Sequence, residues 1–159
     1  MDLDSWIVGF VDGEGCFSIA INPHAEMTSG YQVQAEFAVT QSVLNISVLQ
    51  IILNRFQCGK IQRNPRIDNH HEDLAIYRVR KLDDLVNVII PFFESNVLQT
   101  TKRSQYEGFC KVVCMMRKRD HLSTAGLQTI RDIAGGMNQR AKRRSVESSE
   151  TIRQAPRKR

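Results

Sequence analysis

The chain has 159 residues and a mass of 18.2 kDa, enough for one domain with a core of its own. Hydrophobic residues make up 42% and charged residues 25%, which excludes a disordered chain, and no apolar run approaches the roughly 20 residues of a membrane span. The formal charge is +5, but residues 139–159 hold eight Lys and Arg against two acids, a charge of +6, leaving −1 on residues 1–138. We therefore read a domain over 1–138 and a basic tail over 139–159, a run that suits phosphate contact or plain solvation.

The start, Met1-Asp2-Leu3-Asp4, is acidic, unlike a signal or transit peptide. Residues 2–12 read as a short helix broken by Gly13-Glu14-Gly15. Two segments with strand alternation follow: Phe17, Ile19 and Ile21, then Val33, Ala35, Phe37 and Val39, each alternating with mostly polar residues. Residues 23–30 supply the turn. Residues 43–56 have helical period, with Leu44, Val48, Leu49, Ile52 and Leu53 on one face. Short strands are expected near 59–66 and 73–81, around a polar loop at Asp68-Asn69-His70-His71. Helices are expected over 82–94, 101–118 and 123–136, the last capped by Ser123. Strands in hairpin pairs between helices indicate an α+β domain, a four-stranded antiparallel sheet backed by helices, and argue against a doubly wound parallel sheet. Cys16, Cys58, Cys110 and Cys114 lack metal-ligand spacing and read as buried free thiols in a reducing compartment.

The segment Trp6 to Gly15 is the most distinctive. Gly9 and Gly13 are four apart and share a helix face. Glycine destabilises a helix interior by up to about 1 kcal/mol, so close approach of a second backbone is the natural compensation. If two such helices pair, two Glu14 carboxylates emerge side by side and call for a cation between them, as in a metal-assisted phosphodiesterase. The same residues also read as a glycine-rich turn with Glu14 merely solvated.

Residues Ile7 to Gly15 resemble the nine-residue LAGLIDADG motif. Val39-Thr40-Gln41, the run Leu98 to Arg103, and His121-Leu122, Gly126-Leu127 and Met137-Asn138 are also similar to the homing endonucleases that carry it. The resemblance covers nearly the whole chain in the expected order. It implies an αββαββα core whose saddle-shaped sheet lies over double-stranded DNA, and a divalent-metal endonuclease that cuts both strands of a long site. It implies Glu14 and the carbonyl of Gly13 as metal ligands, with Gln41 positioning solvent. It further implies Mg²⁺ or Mn²⁺ as cofactor, with Ca²⁺ supporting binding without cleavage. The family's active-site lysine falls at Thr101, so Lys102, one residue on, is the expected carrier of that charge. Asn45 stands where relatives often have arginine.

Residues 125–135 mimic a second motif but fail on spacing, because Gly126 and Asp132 are six apart where Gly9 and Asp12 are three. One motif per chain implies a homodimer joined through Trp6, Gly9, Phe10, Asp12 and Gly13, and a pseudo-palindromic site. The polar strand faces, expected in the major groove, carry Ser18, Asn22, His24, Gln32, Gln34, Glu36, Thr40, Lys60, Gln62, Asn64, Arg66, Arg78 and Arg80. Asn138, Arg140, Lys142, Arg143 and Arg144 are expected on flanking phosphates. An RNA-binding intron maturase and a non-catalytic DNA-binding module are the alternatives. The expected setting is intracellular, in a bacterial cytoplasm, plastid or mitochondrion, with no membrane.

Overall fold

The computed structural model describes residues 2–65 and 72–137. Helix α1 (Leu3–Glu14) is opened by Asp2, whose carboxylate accepts from the Ser5 amide at 3.2 Å. It does not break at Gly13 but runs on through Glu14, because fully buried Ile7 and Val11 hold its inner face against the core. Gly15 ends it, its backbone N–H donating to the Val11 carbonyl. A Cβ at Gly15 would lie 2.8 Å from that carbonyl oxygen, so the exit from helix to strand needs glycine.

Strands β1 (Gly15–Pro23) and β2 (Tyr31–Ser42) form the first hairpin; β3 (Lys60–Asn64) and β4 (Leu74–Val79) form the second. The sheet order is β1-β2-β4-β3, antiparallel throughout. Between the hairpins a 3-10 turn (Val43–Asn45) leads into α2 (Ile46–Phe56), so the helix expected from residue 43 starts three residues later. The Ser42 hydroxyl accepts from the Leu44 amide and sets that turn.

After β4 the chain enters α3 (Leu82–Asp84), passes through a π-helical turn (Leu85–Ile89) and continues as α4 (Ile90–Ser95). Pro91 lacks an amide proton, which fits the disturbed ladder just before it. Helix α5 (Lys102–Arg117) and a last helix, α6 over 124–137, complete the described chain.

The core lies between the sheet and the helices. Phe37 is at its centre, fully buried, stacked on Phe17 at 5.1 Å between ring centroids and edge-on to Phe93 at 5.6 Å. Val33, Val112, Leu127 and Ile130 make a second small cluster that seats α6. The cysteines correct the sequence reading. All four are free, but Cys16 and Cys114 are exposed and Cys58 and Cys110 only partly covered. Cys16 takes the open face of β1 because its neighbours Gly15 and Phe17 take the core face. No helix among the described residues is long and apolar enough to cross a membrane.

Candidate nucleic-acid interface and active site

The helices cover one face of the sheet and leave the other open. The register places Ser18 opposite Glu36, Ala20 opposite Gln34 and Asn22 opposite Gln32. On the second hairpin Lys60 pairs with Arg78, Gln62 with Ile76 and Asn64 with Leu74. Thr40 pairs with Ile76 across the middle of the sheet. These side chains share the face turned away from Phe37, Val39 and Tyr77, because side chains alternate along each strand. The face also carries Cys16, Ala20, Leu74 and Ile76, whose apolar or small side chains give no sequence signal for a groove. An apolar side chain such as Ile76 is the type that meets a thymine methyl group.

Three expected groove residues need restating. Glu36 is shared with two arginines: its Oε2 lies 3.2 Å from Arg78 Nε and directly contacts Arg80 Nε. His24 sits past the end of β1, its amide donating to Gly30 at 2.9 Å, so it belongs to the hairpin turn. Arg66 lies outside the described residues, as do Asn138, Arg140, Lys142, Arg143 and Arg144, and so does the loop pair His70-His71.

At the end of the sheet where β1 begins, α1 delivers its last turn. Glu14 and Gly13 are both exposed there. The last carbonyls of a helix lack intrahelical partners and carry its negative dipole end. A carboxylate beside such carbonyls is a hard-oxygen donor set of the kind Mg²⁺, Mn²⁺ and Ca²⁺ take. The residues therefore fit a divalent cation, though one chain offers only part of a shell. Among the described residues no group of three or more His, Cys, Asp or Glu could hold a metal ion.

Lys102, at the first position of α5, stretches back so that its Nζ donates to the Gly15 carbonyl. The ammonium thus stands at the motif, reached from the residue after Thr101. Gln41 lies two residues beyond the Gly15–Val39 pair, at the same end of the sheet. Its Oε1 accepts from Asn45 Nδ2 at 3.4 Å, so the Asn45 amide meets Gln41 directly.

Asp12, expected at a seam between subunits, has its oxygens engaged within its own chain. Oδ2 accepts from the Gln99 amide at 2.8 Å; Oδ1 accepts from the Thr100 amide at 3.2 Å and its hydroxyl at 2.8 Å. Thr100 Oγ1 in turn accepts from the Lys102 amide at 3.2 Å. Asp12 therefore anchors the loop that presents Lys102. Burial pushes the Asp12 carboxyl up, but the Gln99 and Thr100 hydrogen bonds and the nearby Lys102 charge outweigh it and hold the group below the ordinary value. Thr100 is a site residue that the sequence does not single out; its position two before Lys102 is the available signal.

Gly9 is exposed, and Trp6, Val8 and Phe10 are half-buried against the edge of the core. Trp6 and Phe10 stack with centroids 5.3 Å apart and an interplanar angle of 18°. A Cβ built on Gly9 or Gly13 meets nothing within 4 Å. Neither glycine is required by contacts within the described chain.

An open antiparallel sheet face, two-hairpin topology and a glycine-rich helix ending in an acid are joined in this one chain. Residues 7–113 match the LAGLIDADG endonuclease family model, and the chain belongs to that family. It is 36% identical over 124 residues to an uncharacterized 50.9 kDa protein in ND4 intron 1 of Podospora anserina, an alignment covering 76% of this chain but 26% of that protein. Among solved structures, it resembles the homing endonuclease I-TnaI with a TM-score of 0.78 and 36% identity, over 92% of this chain and 97% of the other. It also resembles meganuclease I-SmaMI bound to uncleavable DNA, with a TM-score of 0.79 and 29% identity, over 86% of this chain and 44% of the other. I-SmaMI has also been solved on uncleaved DNA in the presence of calcium ions.

Proposed function

We propose that this chain is a homing endonuclease that acts as a homodimer and makes metal-dependent double-strand breaks in a long, pseudo-palindromic DNA site. The observation that carries the reading is one juxtaposition: exposed Glu14 ends a helix whose Gly9 and Gly13 are open to a second backbone. A two-fold axis along that helix would bring two Glu14 carboxylates together. The chain spans 44% of I-SmaMI, which leaves room there for a second domain of the same size. A homodimer is the way for a chain with one motif to reach the same plan.

Each subunit would contribute Glu14 and the Gly13 carbonyl to bound Mg²⁺ or Mn²⁺, and Gln41 would orient water beside them. The cation supplies charge neutralisation at the scissile phosphate and an acidified water. Lys102 places a positive charge where negative charge builds on the phosphate. The open sheet face would lie in the major groove, with Gln32, Gln34, Asn22 and Asn64 suited to adenine and Lys60, Arg78 and Arg80 to guanine. The setting we propose is intracellular, in keeping with the intron named for the Podospora relative.

Randomised duplexes captured in Ca²⁺, sequenced and then exposed to Mg²⁺ test this reading. We expect a two-fold symmetric consensus, cut by the wild-type protein. Glu14→Gln should bind it within about threefold of wild type while cleaving at least about 10³-fold more slowly, the scale of losing a group that acts only in the transition state. A consensus bound but never cut by wild type would leave a DNA-binding module; capture of structured RNA alone would leave a maturase.

A further inference from the structure

Glu36 is the only acidic residue in the four described strands, and it stands in the middle of the open face. Two cations from the second hairpin meet it. Arg78 Nε is 3.2 Å from its Oε2, and Arg80 Nε touches the same oxygen. Arg78 also donates from Nη1 to Gln62 Oε1 at 3.2 Å, which holds the guanidinium from the β3 side. Lys60 stands directly across from Arg78. The Glu36 and Arg78 side chains are only 17% and 23% exposed, so this pair is far less screened than one at an open surface.

A carboxylate on a surface that meets DNA repels every phosphate that approaches. Its presence asks for a return. A free guanidinium binds any phosphate and so any sequence. A guanidinium already paired with Glu36, by a hydrogen bond from Arg80 Nε and by charge at 3.2 Å from Arg78 Nε, gains little from a generic phosphate, and exchanges best for acceptors placed to match its fixed fork, such as guanine O6 and N7. We propose that Glu36 is a specificity-determining positioning residue, which holds Arg78 and Arg80 in register on the groove face and withholds them from phosphates of non-target DNA. This rests on the groove-facing reading of the sheet.

The test is binding by fluorescence anisotropy in Ca²⁺, on the selected consensus duplex and on a random-sequence duplex, over a salt range of about 50 to 200 mM. Glu36→Gln should tighten random-duplex binding and steepen its log–log salt dependence by about 1 to 2, since each freed arginine that takes a phosphate adds about 0.9. The ratio of consensus to random affinity should fall about tenfold at the low-salt end. Glu94→Gln, an equal charge change at an exposed position of α4, should leave both quantities unmoved. Glu36→Gln should have no effect in an Arg78→Gln, Arg80→Gln background. An unchanged slope and ratio for Glu36→Gln, or an equal change from Glu94→Gln, overturns the proposal. If the double arginine variant binds both duplexes as wild type does, the groove-facing reading itself fails and takes the proposal with it.

Discussion

Asp12 and Lys102 are 90 residues apart in sequence and one hydrogen-bonded loop apart in space. Because three donors from residues 99 and 100 converge on Asp12, its carboxyl is held below the ordinary value of 3.8. Asp4 is also lowered, chiefly by its hydrogen bond from Arg55, with Nε to Oδ1 at 2.7 Å. A carboxylate lowered in the folded state contributes stability that is present above its unfolded value and lost as pH falls through the folded one. The melting temperature should therefore hold from neutral pH down to about pH 4 and fall below it. Asp12→Asn should lower the melting temperature at neutral pH, costing about 1 kcal/mol as the loss of a helix cap does, and should flatten the acid limb. The same variant should slow cleavage more than it weakens DNA binding, because the loop it releases carries Lys102. Thermal melts from neutral to strongly acidic pH, with parallel binding and cleavage assays, measure all three.

At the scale of the element, α1 is the informative helix. Its buried side, Ile7 and Val11, docks on the core; its other side offers Trp6, Phe10 and two glycines. Gly15 and Gly59 are demanded by their own surroundings: at Gly59 φ is 77° and a Cβ would lie 2.7 Å from the Arg78 carbonyl oxygen. Gly9 and Gly13 have no such neighbour. Each costs the isolated helix up to about 1 kcal/mol against alanine, and we assign the return to the proposed association. Gly9→Leu should leave the chain folded, with equal or higher intrinsic stability, and should weaken self-association at least tenfold. Sedimentation at micromolar concentration reads the association. Chemical denaturation should at the same time lose its dependence on protein concentration. A Gly9→Leu protein that remains a tight dimer would sink the glycine-seam reading.

Over the whole molecule, charge is divided. Residues 1–138 are nearly neutral and present cations locally, at the sheet face and at Lys102, while residues 139–159 carry +6. We assign site reading and bulk attraction to DNA to these two different parts of the chain. Truncation after Asn138 should weaken consensus and random duplexes alike and reduce the salt slope by about 0.9 for each phosphate no longer neutralised. The preference for consensus over random DNA should survive, in contrast to Glu36→Gln. Salt titration of both duplexes separates the two effects, and an unchanged slope would count against the tail as a phosphate clamp.

Some of this was legible in the residues alone. Alternation of apolar and polar side chains in 17–21 and 33–39 is a local property, and it marked both strands of the first hairpin and the face each turns to the core. The nine residues ending at Gly15 marked the family, because their glycine and acid spacing is also local. Other features were decided only by the tertiary structure. Glu36 meets Arg78 and Arg80 across 42 and 44 positions, Asp12 takes the amides of residues 99 and 100, and the Lys102 ammonium returns to Gly15. The free thiols are exposed or partly covered rather than buried, and α1 runs on to Glu14 because its core contacts outweigh the glycine penalty. Periodicity records which face of a segment is apolar. It carries no record of which distant group will satisfy a given charge, since that depends on register and packing that exist only once the chain has closed.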